Sequence, residues 1–203
     1  DKKCSNTYDL NHTTKLTLCD INSLDVKQVP KMDVFCAGFN CQPFSIAGKR
    51  KGFCDNRTDS ILKIFEIIKH HKPLVVFFEN VKGLTTHDEG KSMKKIDELL
   101  RDAGMKTIFN ISVNTLTSVN IPQNRERIFI IAFNFCLTKE DINNYFNFNE
   151  TKCTKSFTEF LENEEPDEER KEPCVLAQYY YTSESAIYSK LVKNVINSFL
   201  SFL

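Results

Sequence analysis

The sequence predicts an α/β protein built on a doubly wound, mostly parallel sheet. Three observations predict it. β-rich apolar runs alternate with helix-periodic segments as far as residue 133. One of those runs, Leu74–Phe78 (LVVFF), is apolar throughout, as a strand covered on both faces must be. At 203 residues the chain is long enough to bury a core of this kind.

The elements follow in order. Lys15–Cys19 (KLTLC) and Asp33–Ala37 (DVFCA) read as short strands, and residues 38–59, with Gly38, Pro43, Gly48 and Gly52, read as a long loop. Ile61, Ile64, Phe65 and Ile68 repeat at the spacing of one helix face. After the Leu74–Phe78 strand, Met93, Ile96, Leu99 and Leu100 mark a second amphipathic helix, and Gly104 is placed to terminate it. Lys106–Val113 and Arg127–Phe133 read as two further strands, and the alternation as a whole argues for a doubly wound sheet. Beyond residue 134 asparagine is frequent, residues 161–173 form a charged, proline-bounded stretch that reads as a solvated loop, and Ile187–Phe199 reads as a helix.

Lysine plus arginine and aspartate plus glutamate both number 27, so the formal net charge is zero. A free-standing nucleic-acid binder is usually basic. Neutrality still allows a basic cleft opposite an acidic rim, so charge neither supports nor excludes such a partner. No apolar run approaches the ~20 residues of a membrane span, and no signal-peptide pattern opens the chain. The expected compartment is cytoplasmic, or nuclear in a eukaryote. The eight cysteines form no C-x-x-C pair and the four histidines are scattered, so no metal site is expected.

Chemistry concentrates at three places. Gly38–Ser45 (GFNCQPFS) follows a strand and opens the long loop, placing Cys41 where open α/β sheets carry active sites. By itself a strand-end cysteine is more often a small buried residue. Phe77–Val81 (FFENV) ends the next strand, so Glu79 and Cys41 can face one cavity. A thiol beside a carboxylic acid suits addition to an electron-poor ring, though Glu79 is also readable as a surface acid or a structural ion-pair partner. Ile121–Arg127 (IPQNRER) precedes the last strand, and its alternate arginines can hold a base or a phosphate or merely flank a surface strand.

In this order and spacing the three elements resemble the DNA (cytosine-5) methyltransferase family, with its G-F-P-C-Q-x-F-S loop, E-N-V strand end and Q-x-R-x-R strand start. Smaller matches lie at Ala47-Gly48, Asp55-x-Arg57 and Glu79–Leu84 (ENVKGL), and a weaker echo at Tyr179–Leu191. The resemblance implies an S-adenosylmethionine-dependent, Rossmann-like methyltransferase fold. It implies that Cys41 adds to C6 of a cytosine, that Glu79 engages N3 and the exocyclic amine, and that Arg125 and Arg127 hold the base and its pocket. Gln42, Ser45, Asn80, Val81 and Gln123 then fall on the substrate side, and Asp20 and Ile21 on the cofactor side. For Asp20 a strand-end turn is a competing reading. The implied partner is double-stranded DNA with the target cytosine flipped out, and the implied role is restriction-modification or an orphan enzyme.

Two departures accompany the resemblance. Asn40 stands where the family has proline, which would fix φ ahead of the cysteine. The family's F-x-G-x-G cofactor loop and first two strands would precede Asp1, and residues 1–12 match the helix that follows them. Read this way, residues 1–135 are a partial catalytic domain, and 136–203 lead toward a target-recognition region outside the chain. A complementary chain would supply the missing segments, and the chain alone would bind the cofactor poorly. The alternatives are an inactive fragment or subunit with a binding role, and a tRNA cytosine-5 methyltransferase.

Overall fold

The structure, a computed structural model, describes residues 2–14, 16–39, 59–118, 120–146 and 153–156. Cys41, Gln42 and Ser45, the charged stretch 161–173 and the helix expected at Ile187–Phe199 lie outside the described residues.

Four strands form one sheet: β1 (Val34–Gly38), β2 (Val75–Val81), β3 (Thr107–Asn114) and β4 (Glu126–Phe133), in the order β1-β2-β4-β3. β1 and β2 are parallel, while β4 runs antiparallel to both β2 and β3. Three strands therefore point one way, and β4 is inserted against them. The residues between β3 and β4 are too few for the crossover that a parallel neighbour needs, so β4 must return antiparallel. β2 and β4 are the interior strands, and Val75–Phe78 and Ile128–Phe133 are buried on both faces.

The helices cover the sheet. On one face α2 (Asp59–His71) brings Ile61, Ile64, Phe65 and Ile68 onto Val76 and Phe78. Beside it α3 (Lys91–Asp102) adds Ile96 and Leu100. The opposite face holds a smaller core of Val75, Phe77, Phe129, Ile131 and Phe133, closed by Phe146 of α5 (Lys139–Phe146). α1 (Lys2–Asn11) is the helix implied at the start of the chain. A one-turn helix, α4 (Thr115–Ser118), opens the connection from β3 to β4.

Gly104 ends α3 as its spacing predicts. The Met105 amide donates to the Leu100 carbonyl at 3.0 Å and the Gly104 amide to Arg101 at 2.9 Å, which is the double closure of a Schellman cap. Gly104 takes φ +99°, and Met105 and Leu100 both enter the core behind it.

One expected strand does not form. Residues 16–20 are irregular, and Leu16 and Leu18 are exposed. Alternating apolar residues make a strand only where a neighbouring backbone takes their hydrogen bonds, and among the described residues this segment has none. β2 also runs three residues further than its apolar run, through Glu79, Asn80 and Val81, because β4 pairs with it as far as Val81↔Arg127.

We expect Gly104→Ala to destabilise the protein by about 1–2 kcal/mol in urea unfolding, because only the left-handed backbone opposes the new Cβ. Gly83→Ala meets equally open space without a positive φ, and should change stability by less than about 1 kcal/mol. Equal effects at the two positions would contradict this account of the cap.

Candidate active site

The sheet directions bring three segments to one end: the residues after β1, the end of β2, and the connection from β3 to β4. Glu79 lies on the face of Val75 and Phe77, level with Gly38 of β1 and Phe129 of β4. Arg127 precedes Phe129 by two residues, so it is Glu79's diagonal neighbour on that face. Its Nε lies 2.9 Å from Glu79 Oε1, with the two side chains 17% and 20% exposed. The Nε–H is not aligned on that oxygen, so the contact is Coulombic rather than a directed hydrogen bond. The second oxygen, Oε2, lies over β1, where a Cβ added to Gly38 would come within 3.5 Å of it. The carboxylate thus spans the ends of β1 and β4.

Asn80 faces the other way and is buried. Its Nδ2 donates to the Phe39 carbonyl at 3.3 Å, and its Oδ1 accepts from the Val81 amide at 2.9 Å. The Phe39 ring stands edge-on to Phe78, with centroids 5.5 Å apart. The chain leaving β1 is therefore pinned to β2 two residues before Cys41. Asn80, a sequence candidate for substrate contact, spends its side-chain amide on this tie. Val81 is half-buried beside it. Cys36, in β1, is exposed by area, yet crowding pushes its thiol above the ordinary value. A raised value disfavours the thiolate a nucleophile needs.

The sequence candidates Gln123 and Arg125 sit on the return limb ahead of β4, both half-buried. Gln123 Oε1 is buried without a hydrogen-bond partner among the described residues, leaving an acceptor for a donor from elsewhere. At the limb's end Lys82 Nζ meets Glu126 Oε1 at 2.6 Å, an exposed pair worth little in stability. Asp20 caps the short turn Ile21–Ser23, and its Oδ1 accepts from the Asn22 amide at 2.9 Å. The turn reading of Asp20 is thus realised, with one carboxylate oxygen left for other use. Ile21 packs at the margin of the main core.

Sequence reasoning missed the role of Thr115, a fully buried residue that bonds to the return limb. Its only sequence signal is a hydroxyl residue ending an otherwise strand-like run.

This architecture is shared with solved methyltransferases, which sets the class of the fold. The S. pombe Dnmt2 methyltransferase superposes with a TM-score of 0.60 at 24% identity, over 82% of this chain and 52% of that one. The Entamoeba histolytica methyltransferase EhMeth gives 0.62 at 20% identity, over 82% and 51%. The model of C-5 cytosine-specific DNA methylases matches residues 1–201, and the chain belongs to that family. Type II methyltransferase M.Bsp6I of Bacillus sp. (strain RFL6) is 41% identical over 150 residues, 73% of this chain and 45% of that protein. Type II methyltransferase M.NgoBI of Neisseria gonorrhoeae is 43% identical over 133 residues, 66% and 41%. The chain thus spans less than half the length of these relatives.

Asn80→Ala should lower the unfolding free energy by about 1–3 kcal/mol, since it removes the buried hydrogen bond from β2 to the Phe39 carbonyl. Urea denaturation measures this, and a loss within the error of the measurement would show that the tie between the strand ends is idle.

Proposed function

We propose that the protein carrying this chain methylates C5 of cytosine in double-stranded DNA, in a restriction-modification or orphan role, with Cys41 as nucleophile. One observation carries the reading. The Glu79 carboxylate lies over Gly38 and against Arg127, and Cys41 follows Gly38 by three residues. Three residues of extended chain reach no further than about 11 Å, which bounds how far position 41 can lie from Gly38.

In the proposed cycle the target cytosine leaves the base stack. Glu79, ionised beside Arg127 at rest, takes a proton from solvent as the base enters. The Cys41 thiolate then bonds to C6 while Glu79 gives that proton to N3, and the electron pair moves to C5. S-adenosylmethionine, held at Asp20 and Ile21, would supply the methyl group to C5, its sulfonium–methyl bond breaking with the electron pair kept by the sulfur of the departing S-adenosylhomocysteine. The C5 proton then passes to water, the Cys41 thiolate departs, and Glu79 takes back the N3 proton. Arg127 holds Glu79 in place, and Arg125 with Gln123 lines the base pocket beside Val81. Gln42 and Ser45 follow the nucleophile on the DNA side.

Asp20 and Ile21 suit an adenine, with a carboxylate oxygen for its amine and an aliphatic wall for its ring. In this reading residues 1–135 are catalytic, and 136–203 lead toward target recognition. A complementary polypeptide is part of it, because β1 has a neighbour on only one side among the described residues and exposes Val34 there. A binding subunit without catalysis is the second reading, favoured by Asn40, which stands where the family has proline ahead of the cysteine.

The test is covalent capture by duplex DNA containing 5-fluorocytosine with S-adenosylmethionine present, since the fluorine blocks the final elimination. The full polypeptide carrying residues 1–203 should form a denaturant-resistant adduct, and Cys41→Ala should form none. Glu79→Gln should slow capture by about 10²–10⁴-fold, the range of a lost general acid. An adduct formed by Cys41→Ala would refute the assignment, and wild-type protein forming none would favour the binding subunit.

A further inference from the structure

The limb that delivers Gln123 and Arg125 has no strand neighbour of its own. It folds through two tight turns, with the Gln123 amide donating to Ile121 at 2.7 Å and the Arg125 amide to Gln123 at 3.1 Å. Two neighbouring residues at the end of β3 tie it to the sheet: Asn114 Nδ2 donates to Asn124 Oδ1 at 2.7 Å, and Thr115 makes three further bonds. Thr115 is fully buried at the end of β3, where α4 begins. Its amide donates to the Arg125 carbonyl at 3.1 Å, its hydroxyl donates to the Gln123 carbonyl, and its own carbonyl accepts from the Ile121 amide at 3.3 Å. All three polar groups of Thr115 are spent on residues 121–125. The next residues are Glu126 and Arg127, which open β4 and meet Lys82 and Glu79.

We infer that Thr115 is a positioning residue, whose buried hydroxyl fixes the Gln123–Arg125 limb and through it the placement of Arg125 and Arg127 in the base pocket. The inference rests on the proposed function for the role of that pocket, while the hydrogen bonds themselves stand apart from it. Two of the three bonds use the backbone and survive any side-chain change. The third belongs to the hydroxyl alone. Replacing it by a methyl group keeps the volume and leaves the Gln123 carbonyl with only the Arg125 amide. The expected result is a limb that still folds but opens more often.

The test compares Thr115→Val with Thr115→Ser in the full polypeptide carrying residues 1–203. Two quantities are read: hydrogen exchange of the amides in residues 121–127, and the rate of capture by 5-fluorocytosine DNA. Thr115→Val should speed exchange about tenfold and slow capture about tenfold, as expected for a loss near 1.4 kcal/mol, with DNA affinity unchanged. Thr115→Ser should bring both back to within about twofold of wild type, because it restores the donor. Should Thr115→Val fail to fold, Thr115→Ala takes its place against Thr115→Ser with the same readouts. Exchange that matches wild type in the variant lacking the hydroxyl overturns the inference. So does Thr115→Ser behaving like that variant, which would assign the effect to packing of the methyl group. Arg127→Met provides the separation: if it captures DNA at the wild-type rate, the pocket reading fails, while the exchange data still judge Thr115.

Discussion

The contact between Glu79 and Arg127 sets terms for everything around it. At 2.9 Å and with both side chains largely out of water, its gross attraction is about 4–6 kcal/mol for an effective dielectric near 20. Desolvation of both groups takes back much of that, so the pair is a stronger constraint on register than on stability. Glu79 must continue β2 beyond the apolar run, and β4 must lie antiparallel with Arg127 two residues before the position facing Glu79. A slip of one residue would carry Arg127 to the opposite face and leave a half-buried carboxylate without its cation.

The two-layered core follows from the same geometry. Because β2 and β4 are interior, alternate residues feed different cores: Val76 and Phe78 pack toward α2 and α3, and Val75 and Phe77 toward Phe146. Glu79 continues the second series and Asn80 the first. The acid therefore emerges on the face away from the large helices, while the asparagine goes inward to fasten the end of β1. Neighbouring residues of one strand end therefore divide, Glu79 meeting Arg127 on one face and Asn80 fastening the end of β1 on the other.

Much of this was legible in the sequence. The uniform apolar run from Leu74, the helix face of Ile61 to Ile68 and the terminator Gly104 each state a local preference that burial or backbone geometry then satisfies. The segment from residue 15 shows the limit of such reading, since Leu16 and Leu18 alternate like a strand yet find no ladder among the described residues. The extension of β2 through polar Glu79 and Asn80 was not visible either, because it depends on β4, nearly fifty residues later in the chain. The hydrogen-bonding role of Thr115 has no periodicity to betray it. Of the site, the residue types and their order were readable. The pairing of Glu79 with Arg127, rather than with Arg125, comes only from the antiparallel register.

The most direct test of this account is a double-mutant cycle on stability, using Glu79→Gln, Arg127→Met and the double variant. If the acid and the guanidinium are coupled as the register requires, the cycle gives a favourable interaction of about 1–2 kcal/mol that weakens only slightly in high salt. Additive single-variant effects, with no coupling energy beyond experimental error, would contradict the claim that this pair organises the site.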